Sequence, residues 1–452
     1  MINNLEKIQS NPVKSTISLS IPIIILLILE TVYSISDTYW ISGLGFSALA
    51  ALGYIANVVY ASNKIGDGIG RSVNVLVSNE LGAKHYERTN NIAVHGIILI
   101  LIIGVITPPL SVPFIELVCE IAGIAAHSDM ISAYLFLPIS FIVFLMLANY
   151  FAAVMGGEGD TKRATLIIIA GNIVNIILDP IFIYTLDMGM FGAGFATIIG
   201  YFVSFALFLY LFYYKQDTFV KIDLKHFKYD LSIFKEIIKL AIPIILTGMI
   251  VAVIGIIVNY GLHTYASAYA VAAYVVIIKI QSTVYSPMQG LSKGLCIVAG
   301  HLNGAKRFVT LKDTIRRILI INIVLSVVLG VLLIVFNSYF ISIFTDDPYV
   351  LLEAGGFSVL ACCSIITHAC IMTCNYSFIG TEKSSYSLYF LIFNIIMSLV
   401  LMFFFSDVFN WGGFGVVFSV VFSEAIQGVL MFFVLRFKIN LQIKNSSSEN
   451  AV

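Results

Sequence analysis

The chain repeats one pattern along its length: a run of about twenty mostly apolar residues followed by a short polar interruption. Twelve such runs are present, centred near Ile28, Asn63, Leu101, Val143, Val174, Val203, Ile250, Thr283, Ser326, Ile365, Ile395 and Glu424. Most are apolar on every face, as expected of helices surrounded by lipid and other helices. The pattern predicts an all-α polytopic membrane protein with twelve transmembrane helices.

The polar interruptions alternate in charge. If successive runs alternate in direction, one set of loops holds Lys84, Arg88, Lys162, Arg163, a basic segment from Lys215 to Lys239, Lys306, Arg307, Lys312, Arg316, Arg317 and Lys383, with Lys7, Lys14 and Arg436 near the ends. The opposite loops, around Gly43, Pro113, Asp187, Thr264, Asp346 and Asp407, contain no Lys or Arg. The positive-inside rule then predicts cytoplasmic N- and C-termini in a plasma or inner membrane. The first run lacks a small-residue cleavage site and is expected to be a retained helix. A hydrophobic fraction of 59% with 11% charged residues and a mean hydropathy of +0.98 leaves no room for a separate soluble domain. The zero net charge conceals the loop asymmetry. Nothing suggests a nucleic-acid partner. Six cysteines include Cys362, Cys363, Cys370 and Cys374 with His368 on one run, but their spacing is not that of a metal or redox motif.

At an offset of about 222 residues the sequence resembles itself. "KSTISLSIPIII" (14–25) aligns with "KEIIKLAIPIIL" (235–246), "LGAKHYER" with "NGAKRFVT", and "FGAGFAT" with "GGFGVVF". A duplicated six-helix unit is predicted, with an N-terminal lobe over 1–214, a cytoplasmic linker over 215–239, a C-terminal lobe over 240–437 and a disordered tail over 438–452. An even number of spans per copy gives parallel repeats, related by a pseudo-twofold axis along the membrane normal. Two bundles with a cavity between them suit alternating access.

Carboxylates inside such runs cost about 3 kcal/mol or more unless neutralised, paired or wetted. Asp37, Asp67 and Asp179 stand out, with Glu30 and Glu424 behind them. Asn172, Asn175 and Asp179 fall at i, i+3 and i+7, one polar stripe on one helix face. At the 222-residue offset Asp37 becomes Asn259, Asn172 becomes Asn394 and Asp179 becomes Leu401. A structural need would act on both copies, so the one-sided acids point to function. Asp67, with Lys64 and Arg71 at i−3 and i+4, reads as a locally neutralised face. Pro22 is expected to bend the first helix. An intramembrane aspartate is a site where a proton and an apolar organic cation can compete. One proton moving down a unit pH difference releases ~1.4 kcal/mol, and 100 mV adds ~2.3 kcal/mol, enough for concentration of a substrate about several hundredfold.

"SDTYWISGLGFSALAALG", "LGAK", "VMGGEGDTKRAT", "NIVNIILDPIFIY" and "GMFGAGFATIIGYF" resemble, in order and spacing, motifs of the multidrug and toxic compound extrusion (MATE) transporters, in their DinF-like branch. The resemblance covers residues 12–436. It implies two six-helix bundles and export of amphipathic, often cationic, drugs or metabolites. Nothing in the sequence requires more than a monomer among membrane lipids, and no cofactor is expected. By position, Asp37 and Asp179 resemble the branch's protonation pair, with Asn175, Thr197 and Tyr134 in its hydrogen-bond network. Tyr33, Asn149 and Asn172 fall in the substrate cavity, and Pro22 matches a proline linked to bending. The expected coupling ion is a proton, with sodium at the same carboxylates as the alternative.

The seventh and tenth helices lack the acids of the NorM-like branch, which disfavours a sodium site in the second half. The cluster Lys64, Asp67 and Arg71, with Lys279 and Lys293, would also suit an anionic headgroup, so a lipid or lipid-linked sugar flippase is the nearest rival. No HExxH, GxSxG or convergent His and carboxylate set supports an intramembrane enzyme. A receptor or scaffold would leave the one-sided Asp37 and Asp179 unexplained.

Overall fold

The computed structural model describes residues 2–121, 134, 138–222, 227–345 and 347–449. Among them there are helices and no strands. After a short α1 (Ile2–Ser10) come α2 (Pro12–Ser42), α3 (Phe46–Gly82), α4 (Tyr86–Ile121), α5 (Ile142–Gly157), α6 (Thr161–Pro180) and α7 (Gly189–Leu209). The second half has α8 (Leu231–Tyr265), α9 (Ala268–Gly304), α10 (Phe308–Val335), a short α11 (Asn337–Ser342), α12 (Pro348–Gly380), α13 (Ser384–Met402) and α14 (Gly412–Glu449). Ten of the described helices are long and apolar enough to cross a membrane. The 37-residue α3 and the 16 residues of α5 occupy the other two predicted runs. Large apolar side chains such as Val105, Ile256 and Leu352 are more than two-thirds exposed, an arrangement that water disfavours and lipid does not.

Backbone geometry carries the duplication further than the sequence does. Left-handed residues recur at the repeat offset: Lys84 with Lys306, Gly159 with Glu382, Asp187 with Asn410, and Gly189 with Gly412. Wider π turns extend α6 over Ile181–Thr185 and α13 over Phe403–Val408. Since both copies have this π turn, it belongs to the fold and not to Asp179 alone.

The chain divides into two compact units that differ from the sequence-based lobes. Unit 1 comprises Met1–Glu6 and Ile25–Ile245, and unit 2 comprises Lys7–Ile24 and Leu246–Val452. In both α2 and α8 the division falls two residues past a proline, Pro22 or Pro243. The packing explains why. Within unit 2, a side chain on Gly290 would collide with Ile24, and one on Gly294 would stand 2.9 Å from the carbonyl of Thr16. Within unit 1, Gly68, the repeat equivalent of Gly290, gives the same room to Ile245. Each proline-bearing helix thus begins against a glycine helix from the other half of the sequence.

The linker belongs wholly to unit 1. Glu158, in the turn after α5, accepts the backbone N–H groups of Phe219 at 2.9 Å and Val220 at 2.8 Å. Asn90 Oδ1 accepts Lys221 N–H at 2.9 Å, and His95 Nε2 accepts Asp230 N–H at 3.0 Å while its Nδ1 bonds the carbonyl of Asn91. Arg88 bridges to Glu236 at 2.7 Å, and Arg163 to Asp217 at 2.9 Å. Burial pushes the Glu158 carboxyl up to about 7, against the pull of its two N–H donors.

Two expectations fail. The loop expected around Pro113 is helical, since α4 continues to Ile121. The tail expected to be disordered from 438 instead continues α14 to Glu449, with residues 450–452 outside the described set. Met431, Leu435, Ile439 and Ile443 recur every four residues and pack into a core with Leu295, Ile315 and Phe378, so an apolar stripe outweighs the polar composition of the tail.

Candidate functional site

Unit 1 holds Asp37 and Asp179, and the crossing of α6 and α7 surrounds Asp179. A Cβ on Gly171 would stand 2.5 Å from the carbonyl of Gly200, and one on Gly200 would stand 2.8 Å from that of Gly171. Only glycine at both positions lets the two backbones approach this closely. The repeat offset replaces this pair by Phe393 and Phe422, so the tight crossing is specific to the half with the acids.

One turn from the crossing, Asn175 on α6 faces Thr197 on α7. Asn175 Nδ2 lies 3.4 Å from both Asp179 Oδ1 and Thr197 Oγ1, and Thr197 Oγ1 donates to the carbonyl of Ala193 at 3.0 Å. Asp179 is fully buried, and Asn175, Thr197, Tyr134 and Asp37 are buried beside it. Gly194 takes the backbone of Tyr134, whose carbonyl lies 2.5 Å from where a Cβ would be, and this lets the Tyr134 hydroxyl reach Thr197. Asp37, Asp179, Tyr33, Tyr134 and Tyr201 lie close enough to interact electrostatically.

Three buried oxygens of this group, Asp37 Oδ1, Asp179 Oδ2 and Asn175 Oδ1, have no donor among the described residues. Buried acceptors in native proteins are normally satisfied. These three lack a donor, and no Lys or Arg forms an ion pair with either aspartate among the described residues.

The MatE family profile matches residues 22–181 and 243–404. The chain belongs to the MatE family. It is a membrane transporter and not an enzyme. This MatE chain is 26% identical over 352 residues to the multidrug export protein MepA of Staphylococcus haemolyticus (strain JCSC1435), with 76% of each chain covered. It is 24% identical over 345 residues to a probable multidrug resistance protein NorM of Thermotoga maritima (strain ATCC 43589), covering 75% of this chain and 73% of that one. A crystal structure of a MATE protein in a bent conformation superimposes with a TM-score of 0.94 at 25% identity, covering 98% of this chain and 99% of that one.

Of the residues singled out in the sequence, the structure of this MatE chain brings together Asp37, Asp179, Asn175, Thr197, Tyr134 and Tyr33. Asn149 and Asn172 are half-buried and make no hydrogen bond to either aspartate among the described residues. Glu30 is exposed on α2. Pro22 is half-buried where α2 passes from one unit to the other. Asp67 is held by Arg71 through contacts of 2.9 and 2.8 Å, with Lys64 at 3.9 Å, a partly exposed local cluster. Tyr201 is the member that sequence reasoning missed. It stands four residues beyond Thr197 in the "GYF" of the last first-half motif, so helical spacing alone would have found it.

Proposed function

We propose that the chain exports amphipathic, often cationic, drugs or metabolites in exchange for protons, by alternating access, with Asp37 and Asp179 as the coupling pair. The observation that carries this reading is the set of three buried oxygens without a donor among the described residues, two of them on the aspartates. A proton on either carboxyl turns an oxygen without a donor into a donor within a group rich in acceptors. Removal of that proton leaves a negative charge beside Tyr33, Tyr134 and Tyr201, a setting that favours an organic cation with apolar faces. Asn175, itself held by Thr197, holds Asp179 in place, and Tyr134 joins the network at Thr197. The MepA and NorM names of the relatives support drug export as the transported class.

Coupling through one pair of groups requires that proton and substrate exclude each other. Addition of ethidium to the purified protein in weakly buffered detergent should therefore release protons. Asp179→Asn should abolish the release, while a normal thermal transition shows that the fold survives. Ethidium binding without proton release, in native protein and variant alike, would overturn the reading. The same three oxygens also suit sodium. Sodium-dependent, pH-independent ethidium release would keep the site and change the ion.

A further inference from the structure

A further intramembrane carboxylate lies in unit 2. Glu424 is twelve residues from the start of α14 at Gly412, about 18 Å along the helix and thus near the middle of a hydrocarbon core about 30 Å thick. The residue is half-buried. Ser364 Oγ, on α12, donates to Glu424 Oε2 at 2.7 Å, and Thr367 Oγ1, one turn further, reaches the same oxygen at 3.4 Å. The Tyr285 hydroxyl on α9 lies 3.2 Å from Ser364 Oγ. Tyr285, Ser364 and Glu424 thus form a hydrogen-bonded chain across three helices. The Tyr285 ring stacks on His368 with centroids 4.1 Å apart and planes at 15°. Gln281 Nε2, one turn before Tyr285, bonds the carbonyl of Ala361 at 3.0 Å and fixes α9 against α12 at this level.

Both hydroxyls reach Oε2, and no donor reaches Oε1 among the described residues. No Lys or Arg forms an ion pair with Glu424 among them either. Tyr274 and Tyr285 of α9 interact with it electrostatically; on α12, His368 stacks on Tyr285, Cys362 bonds the carbonyl of Gly330 and Cys370 that of Gly428, four residues along α14. On α13 only Tyr386 and Tyr389 are titratable, and the charges of α10, from Lys312 to Arg317, lie in its first turns. Lys279 of α9 sits over the ring of Phe344 at 6.0 Å. A membrane carboxylate with hydroxyl partners but no countercharge is neutralised most directly by a proton. The repeat offset places Phe202 at this position in the first half, so the duplicated fold does not require an acid here.

We propose that Glu424, with Ser364, Thr367 and Tyr285, is a second proton-exchange site, belonging to unit 2 and distinct from the Asp37–Asp179 pair. Its effect on coupling rests on the exporter reading, whereas its proton binding does not. If the site exchanges during transport, each substrate leaves against one proton more than the aspartate pair alone supplies.

Glu424→Gln is the discriminating variant, because glutamine still accepts from Ser364 but cannot bind a proton. In pH-difference infrared spectra of the purified protein, the variant should lose one protonated-carboxyl band. In liposomes, the proton-to-ethidium ratio, taken from the pH gradient that just halts flux, should fall by one proton while Asp179→Asn loses coupled flux altogether. An unchanged carboxyl spectrum and an unchanged ratio would reduce Glu424 to a fastener between α12 and α14 and overturn the proposal. If Glu424→Gln fails to fold, Ser364→Ala serves instead. It keeps the carboxyl but cuts the chain to Tyr285, so the band should shift its pH midpoint, and an unmoved midpoint would count against the proposal. Loss of the band in Glu424→Gln with unaltered flux in Asp179→Asn would sink the aspartate reading while leaving this site standing.

Discussion

Replacing Glu158 by glutamine opposes two effects that the structure lets one weigh. The carboxyl is 7% exposed, and its two oxygens each accept one backbone N–H of the linker. Burial is the largest influence and the two N–H donors oppose it; Asp160 adds to the upward push and Arg163 counters it. The outcome is a carboxyl raised from 4.5 to about 7. Between those values the folded chain holds a proton that the unfolded chain has released. This group's contribution to stability is therefore complete below about pH 4.5 and lost as pH rises through about 7. A gap of that size corresponds to about 3 kcal/mol. Glutamine resembles the protonated carboxyl in charge, but its amide N–H meets one backbone N–H, costing about 1–3 kcal/mol at every pH. The pH-dependent difference is thus the diagnostic quantity. Glu158→Gln should gain about 3 kcal/mol relative to the native chain on going from below pH 4.5 to above pH 8. Thermal unfolding in detergent at both pH values, with amide exchange at Phe219 and Val220 as a local probe, measures it. A variant equally destabilised at both ends would show that the carboxylate's hydrogen bonds outweigh its burial and refute the argument.

Other consequences follow from the same geometry. Gly171→Ala forces a methyl group into Ser204 and the Gly200 carbonyl, and should cost about 1–3 kcal/mol and abolish proton-coupled flux; Gly355→Ala, which meets nothing within 4 Å, is the matched control. Removing Asp67, Arg71 or both should give a coupling energy of at most about 1 kcal/mol in a double-mutant cycle, as expected of a partly exposed pair; a larger value would call for a role beyond local neutralisation. Ile439→Ala, at a fully packed position of the α14 stripe, should cost about 2–5 kcal/mol and expose the end of α14 to protease, which native protein resists.

The spans, the duplication and the candidate acids were legible in the sequence because each is a local or periodic signal. Asn175 and Asp179 stand one helical turn apart, and their spacing announced a shared face. The part played by Gly171 and Gly200 was not legible, because a close crossing depends on which helices meet. The unit boundaries at Ile24 and Ile245 were hidden for the same reason: nothing local in "SIPIII" says that Ile24 packs on Gly290. The polar composition of the tail hides the end of α14, where Ile439 and Ile443 continue the stripe begun at Met431. Tyr201 stands four residues from Thr197, but its motif carries no local sign that the acids are its neighbours. Glu424 showed only as an isolated acid, since its partners come from α12 and α9.

The most direct test of the central claim is ethidium efflux from liposomes under an imposed pH gradient, with and without sodium, for the native chain, Asp37→Asn and Asp179→Asn. Flux should follow the pH gradient, ignore sodium and disappear in either variant. Undiminished pH-driven flux in both variants would contradict it.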